Sequence, residues 1–345
     1  MEKERKFENK GLYYPYSDYL KEKYHEKVYK LPVNLPVSCP NRVDGPGCAF
    51  CAGAGTGFEA MDAQICVSEQ ILRTKERIEE KYHAHKFIAY FQNYTNTFQP
   101  LEHFTKYLRE AAAVPDIVEI SVSTRPDCLN REYLDVMDAI QRETGIQMNI
   151  ELGLQTVNYH TLDRIGRGHG LAEFLDAVLM IKEYKGFTIC AHVILNLPGD
   201  DRNDACETAR VLTALGIDIV KLHSLYIAKN TLLCDWHENG RICLCSKEEY
   251  LERVASFLEL IPENMAVERL FSRIPEKDSV FCNWGNSWWK LRDELFAKMK
   301  QEGRYQGRLC NYLNGAALKK LDQEFDIMVL RRLKYWLEGI KMLSV

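Results

Sequence analysis

The sequence has no run approaching the roughly 18 consecutive apolar residues that a membrane-spanning helix requires. Its first residues, Met-Glu-Lys-Glu-Arg-Lys, are charged where a signal peptide would carry an apolar core. A cytoplasmic protein with no membrane partner is therefore expected. Internal repeats and low-complexity tracts are absent as well, and nothing in the composition suggests disorder. Twelve cysteines in 345 residues are few for a secreted disulfide scaffold, and in a reducing compartment they read as thiols, metal ligands or core residues. Strong charge is missing too. A net charge of -4 gives no direct support for a nucleic-acid partner. Segment 286–345 does carry 12 Lys and Arg against 7 Asp and Glu, but a solvated helix face explains such a run equally well.

What is present is ordinary for a globular protein, 46% hydrophobic and 27% charged. A chain of 345 residues suits roughly two domains, or one α/β barrel that uses most of the length. The unusual stretch is Cys-Pro-Asn-Arg-Val-Asp-Gly-Pro-Gly-Cys-Ala-Phe-Cys at 39–51. Two prolines and two glycines bend this loop, so neither helix nor strand is expected in it. Cys39, Cys48 and Cys51 form a C-x8-C-x2-C pattern, an odd number of thiols. Structural zinc closes its shell with four ligands, and ordinary iron-sulfur clusters take four thiolates. Three thiolates on a cubane leave one iron open to a small molecule, which is a catalytic arrangement. The competing reading is a zinc knuckle completed by a distant His or Cys, although a second C-x2-C is lacking.

Around the loop the pattern alternates. Strands are expected at 28–33, 87–92, 117–122, 147–152, 187–195 and 217–226, with helices between them. Ser68 and Asn130 read as N-caps, and Gly145, Gly186 and Gly216 as helix stops. Steps of about 30 residues are the length of one strand-helix unit and argue for a parallel sheet with helices outside. In parallel barrels chemistry gathers at the C-terminal ends of strands. The cysteine loop follows the first strand, while Gln92, Thr124 with Arg125, Glu151 with Gln155, and Asn196 end later ones. Beyond 226 the regularity stops, with a seventh strand at 265–270, helices at 248–260 and 284–300, and a helical tail at 318–343. The domains expected are an arm at 1–27, a barrel at 28–235, an α+β region at 236–310 and the tail at 311–345.

The cysteine loop, with Phe50 before its last cysteine, resembles that of the radical S-adenosylmethionine (radical SAM) superfamily. Four further segments are similar to the YhcC/YtqA-type proteins, related to the branch of the Elongator catalytic subunit. They are Tyr-Phe-Gln-Asn-Tyr-Thr-Asn-Thr at 90–97, Ser-Thr-Arg-Pro-Asp at 123–127, Glu-Leu-Gly-Leu-Gln-Thr at 151–156 and Arg-Gly-His at 167–169. The resemblance implies an α/β fold, a partial parallel (β/α)6 barrel with a smaller α+β C-terminal region. It also implies a [4Fe-4S] cluster on Cys39, Cys48 and Cys51, with S-adenosylmethionine (SAM) on the free iron and an electron donor such as flavodoxin or ferredoxin.

Residue by residue, the resemblance puts Phe50 beside the adenine, although an ordinary loop anchor is as good a reading. Glu151 faces opposite to Met148, Ile150 and Leu152. A buried carboxylate without a partner is costly, which favours ligand binding over packing; the resemblance implies that Glu151, with Gln155, contacts SAM, and a plain salt bridge is the alternative. Arg167 resembles an arginine that meets the SAM carboxylate, Arg125 is a similar case, and both also read as surface arginines. Gln92 and Thr124 complete the cofactor shell. Tyr94, Thr95 and Asn96 either touch substrate or cap the next helix. Gly53, Gly55 and Gly57 suit a close approach of backbone to the cofactors. Cys234, Cys243, Cys245 and Cys282 read as single thiols, with a second metal as the alternative, and the tyrosines at 13–24 as a packed arm, with base stacking as the alternative. The function expected is a radical SAM enzyme acting on tRNA, at the C5 side chain of the wobble uridine. The alternatives are a small metabolite or protein side chain as substrate, or a non-enzymatic metal-binding interaction protein.

Overall fold

The computed structural model describes residues 11–43, 45–52 and 61–321. Nine strands are seen among them: β1 (Val28–Val33), β2 (Lys86–Phe91), β3 (Ile117–Thr124), β4 (Gln147–Gln155), β5 (Thr188–Ile194), β6 (Ile219–His223), β7 (Ile227–Ala228), β8 (Ala266–Arg269) and β9 (Ser279–Phe281). Seven form one sheet in the order β1-β2-β3-β4-β5-β6-β8, and every neighbouring pair is parallel. The six expected strands are therefore joined by the seventh, which pairs with β6 through Ile219 and Ala266. The helix Lys247–Leu260 lies between β6 and β8 in the chain and packs on the helix Arg202–Ala214, so the strand-helix alternation runs one unit further than expected.

The strands read as they do because both faces of the sheet are covered. Along β4 eight of nine residues are buried, which matches a parallel sheet rather than a half-solvated one. The outward set, including Leu31, Phe91, Ile120, Ile150, Val193 and Leu222, is apolar and meets the helices. Full burial of each such side chain contributes about 1.5–3 kcal/mol. The helix Leu101–Ala112 answers with Phe104, Leu108 and Ala111. The inward set is polar or charged, with Lys30, Ser123, Glu151, His192 and Lys221 at neighbouring register positions. That face is a polar lumen toward the C-terminal ends of the strands, with an apolar cluster of Ile88, Cys190, Ile219 and Ala266 toward their N-terminal ends.

Caps follow the sequence with two exceptions, Ser68 and Gly186, the latter because its helix already ends at Ile181 with Lys182 as C-cap. Asn130 accepts from the Tyr133 amide at 3.3 Å, and Gly145 and Gly216 take φ of +75° and +59° behind their helices. Ser68, by contrast, lies inside the helix Val67–Tyr82, whose N-cap is Cys66. Its amide and hydroxyl both donate to Glu110, each at 2.9 Å, so a carboxylate from a neighbouring helix serves the first turn instead.

The tyrosines of the N-terminal segment pack. In the helix Tyr16–Tyr24, Tyr16 and Leu20 are buried against Ile88, Cys190, Ile219 and Ala266, closing the lumen at the N-terminal ends of the strands. Lys23 and Tyr24 also bind Glu119, at 2.9 and 2.6 Å. Tyr14, Tyr16, Tyr19 and Tyr24 are thereby spent on packing rather than base stacking, whereas Tyr13 lines a cavity. Residues 11–307 belong to one compact unit and 308–321 to a second, where a 3-10 turn covers Ala316–Leu318. The expected tail beyond 321 and Gly53, Gly55 and Gly57 lie outside the described residues.

Candidate functional site

The loop after β1 is not wholly irregular. Pro40–Val43 forms a single helical turn, because proline presets the φ of a first helical residue. That turn sets Asn41 and Arg42 to work on the rest of the loop. Asn41 Nδ2 donates to Cys48 Sγ at 3.2 Å and to the carbonyls of Gly166 and Arg167, each at 2.9 Å. Its Oδ1 accepts from Arg125. Arg42 Nη2 donates to the Cys51 and Ala52 carbonyls at 2.9 and 2.6 Å.

Each cysteine of the loop has one guanidinium beside it. Arg125 Nη1 lies 3.9 Å from Cys39 Sγ, Arg167 Nη1 3.6 Å from Cys48 Sγ, and Arg42 Nη2 3.5 Å from Cys51 Sγ. Burial pushes the Cys51 thiol up, and the Arg42 guanidinium pulls against it. Arg125 also forms a two-pronged pair with Asp127, whose carboxyl it holds below the usual range despite burial. Arg167 is 7% exposed, so the surface-arginine reading fails for it, and Arg125 is 4% exposed.

The three cysteines line a cavity of about 110 Å³ at the C-terminal ends of the strands. Phe50, Gln92, Tyr94, Thr95, Thr124, Arg125, Glu151, Gln155 and Arg167 line the same cavity, so twelve of the thirteen expected site residues meet there. Asn96 is the one that does not. It is fully buried, with Nδ2 donating to the Phe91 and Ser123 carbonyls at 2.9 and 2.8 Å, and it ties β2 to β3 beneath the cavity floor. None of the 94–97 residues caps the following helix, whose N-cap is Pro100. Phe50 serves two ends, lining the cavity while packing on Ala49, Leu162 and Leu233.

Two cavity residues other than glycine hold left-handed backbone, Tyr94 at φ +56° and Gln155 at +72°. Such conformations cost of order 1–3 kcal/mol and gather at functional sites. Gln155 follows a register shift between β4 and β5 at Gly153. Gly153 is needed there, since a Cβ would meet the Arg167 guanidinium and would lie 2.9 Å from Gln155 Nε2. Gly168 (φ +75°) likewise leaves room for Asn41 and Arg125.

Below the cysteines the lumen holds a charge network. Glu151 accepts from Lys30 at 2.6 Å, Tyr90 at 2.9 Å and Lys221 at 3.3 Å, and pairs with His192 at 2.6 Å. The same two lysines reach Glu268 at 2.7 and 2.8 Å. Burial would raise the Glu151 carboxyl, but Lys221 and Lys30 hold it well below its ordinary value. Burial lowers His192 despite Glu151. Glu151 therefore does the salt-bridge work that was its alternative and also faces the cavity. Lys30, Lys221 and His192 were missed. The signal was the one used for Glu151, a charged residue alternating with apolar ones along a buried strand. Asn41 and Arg42 were also overlooked, although both sit between the cysteines.

All twelve cysteines are free thiols. Among the described residues Cys234, Cys243, Cys245 and Cys282 form no metal-ligand group, and no fourth cysteine lines the cavity of Cys39, Cys48 and Cys51. Three thiols on one wall, flanked by cations and facing open space, fit a cluster with one iron free of protein.

Residues 33–212 match the Radical SAM superfamily and 217–301 the Radical SAM C-terminal domain. The chain belongs to the radical SAM superfamily, enzymes that use a [4Fe-4S] cluster and SAM. It is similar to the uncharacterized protein YtqA of Bacillus subtilis, 32% identical over 305 residues that make up 87% of this chain and 94% of that one. A tRNA uridine(34) acetyltransferase of Dehalococcoides mccartyi is 25% identical over 198 residues, 56% of this chain but only 40% of that protein. Among solved structures, Elp3 of Methanocaldococcus infernus has the same fold, with a TM-score of 0.63 at 18% identity over 81% of this chain and 64% of that one. No helix among the described residues is long and apolar enough to cross a membrane.

Proposed function

We propose that this enzyme holds its cluster on Cys39, Cys48 and Cys51 and acts on tRNA, at the C5 side chain of the wobble uridine. Held by Cys39, Cys48 and Cys51, such a cluster would supply the one-electron reduction of SAM on which the radical chemistry of the superfamily depends. The observation that carries the cofactor part is the trio of thiols on one cavity wall, each with its own guanidinium.

The chain's own residues divide the remaining work. Arg42, Arg125 and Asn41 fix the loop so that three thiolates face one way. Phe50, Gln92, Thr124, Glu151, Gln155 and Arg167 form the walls against which SAM is oriented, and Tyr94 and Thr95 edge the substrate side. Below the charge network, Tyr16 and Leu20 pack on Ile88, Cys190, Ile219 and Ala266 and close the lumen to water. The tRNA reading is supported by the similarity to a tRNA uridine(34) acetyltransferase. It is also supported by a second cavity of about 650 Å³ that shares Gln92 with the first and is lined by Arg269, Arg273, Arg292 and Trp288. A cationic, aromatic mouth suits a phosphate-bearing substrate. A cytoplasmic setting with flavodoxin or ferredoxin as electron donor completes the reading.

Two measurements test it. Anaerobically reconstituted protein given SAM and dithionite is expected to release 5'-deoxyadenosine, and Cys48→Ala to release none. Mass spectrometry of tRNA nucleosides from cells lacking the gene is expected to show a modified uridine lost. An unchanged profile rejects tRNA and leaves a phosphorylated metabolite as the reading that the same cationic mouth favours.

A further inference from the structure

Beyond the cysteine cavity lie two more spaces that share lining residues. The outer one, of about 650 Å³, is within the range of nucleotide-sized ligand sites. The inner one, of about 90 Å³, lies against Phe50, His192, Lys221 and His223. Arg269 and Arg273 line both, so they stand between the two.

Arg269 ends β8 half-buried, and its side chain has no hydrogen bond or ion pair with any described residue. The carboxylates nearby are already matched. Glu268 and Glu151 are each shared between Lys30 and Lys221, so two anions meet two cations and leave no counter-charge for Arg269. Arg292, at the outer edge, has Asp293 at 2.8 Å. A partly desolvated guanidinium without an anion is costly and is the usual mark of a ligand site.

His223 adds a second donor. Its Nε2 is buried without a partner, while Nδ1 lies 3.3 Å from Ser272 Oγ. Ser224 Oγ is occupied, accepting from the Ser272 amide at 2.8 Å and donating to Asn283 Oδ1 at 2.6 Å. When the Ser272 hydroxyl donates to Nδ1, the proton of the neutral ring sits on Nε2, where a phosphate oxygen can accept it. Burial, with His192 and Arg269 beside it, keeps the ring neutral by holding its pKa well below the usual value.

We propose that Arg269 and His223 form a phosphate-binding subsite of the substrate cavity, taking a nucleotide phosphate where the outer and inner spaces meet the Arg269 side chain. The choice of a nucleotide rests on the tRNA reading above. The phosphate subsite itself rests only on the unpaired guanidinium and the orphaned imidazole nitrogen.

Calorimetry on the anaerobically reconstituted full chain, with 5'-UMP, uridine and inorganic phosphate as probes, tests this. UMP is expected to bind about tenfold tighter than uridine, from one charge-assisted hydrogen-bond pair, and inorganic phosphate is expected to displace it. Arg269→Gln is expected to erase the difference between UMP and uridine while SAM affinity stays as in wild type, which also reports a folded barrel. His223→Phe is expected to reduce the difference without erasing it. Equal binding of UMP and uridine to the wild type, no displacement by phosphate, or a tenfold loss of SAM affinity in Arg269→Gln overturns the proposal. An unaltered tRNA profile in deleted cells would remove the tRNA reading and leave the phosphate results standing.

Discussion

The Arg167 guanidinium lies across the α-carbon of Gly153, with Nη2 donating to the Gly153 carbonyl at 3.0 Å and Nη1 3.6 Å from Cys48 Sγ. One arginine from a turn after β4 thereby connects the strand end to the cysteine loop. Gly153→Ala is expected to push Arg167 off Cys48, because the new methyl group meets guanidinium and the Gln155 amide. Overpacking of this kind costs about 1–3 kcal/mol. SAM-dependent release of 5'-deoxyadenosine should fall at least about tenfold, with urea denaturation showing the smaller loss of stability.

The guanidinium beside each cysteine bears on electron uptake. A fixed positive charge favours the state with the additional electron, so its removal makes reduction harder. Arg42→Gln, which spares the Asp127 pair of Arg125, is expected to lower the cluster's midpoint potential. A shift of about 59 mV corresponds to a tenfold change in a one-electron equilibrium. Redox titration followed by electron paramagnetic resonance reads it directly, and an unmoved potential would show that Arg42 only holds the loop.

Lys221→Met should be among the most destabilising single changes in the lumen. It leaves Glu151 and Glu268 sharing Lys30 alone in a buried site. Breaking a buried pair by removing one partner costs about 3–5 kcal/mol. Replacing Glu151 by Gln in the same protein should recover part of that loss, since one uncompensated charge disappears. Denaturant midpoints of the single and double variants check this, and strict additivity would contradict it.

Asp200 makes the stability depend on pH. Burial raises its carboxyl from 3.8 to about 6, and Oδ1 has no hydrogen-bond partner. Because the folded value is the higher one, the folded chain takes up this proton first. Its contribution to stability is fully present below pH 3.8 and is lost as pH rises through about 6. Asp200→Asn is therefore expected to stabilise the protein by about 1–3 kcal/mol at pH 8 and by about a third of that at pH 4.5. Equal effects at both pH values would refute the assignment.

Much of this was legible in one dimension. The spacing of Cys39, Cys48 and Cys51 and the strand-helix period are local properties, and so are the caps at Asn130 and Gly145. Where reading by neighbours failed, the deciding partner was far along the chain. Ser68 lost its cap to Glu110, Asn96 left the cavity for the Phe91 and Ser123 carbonyls, and the N-terminal tyrosines went to the base of the sheet.

The order of residues alone determined a parallel α/β chain with three thiols on a bent loop, since hydrophobic period, turn residues and ligand spacing all act over a few positions. Only the folded chain decided which charges oppose which. Lys30, Glu151, Lys221 and Glu268 come from four strands and neutralise one another, and Arg42, Arg125 and Arg167 come from three separate segments to meet three sulfurs. Electrostatic pairing depends on distance through space in a medium of low dielectric, and no spacing along the sequence encodes that distance.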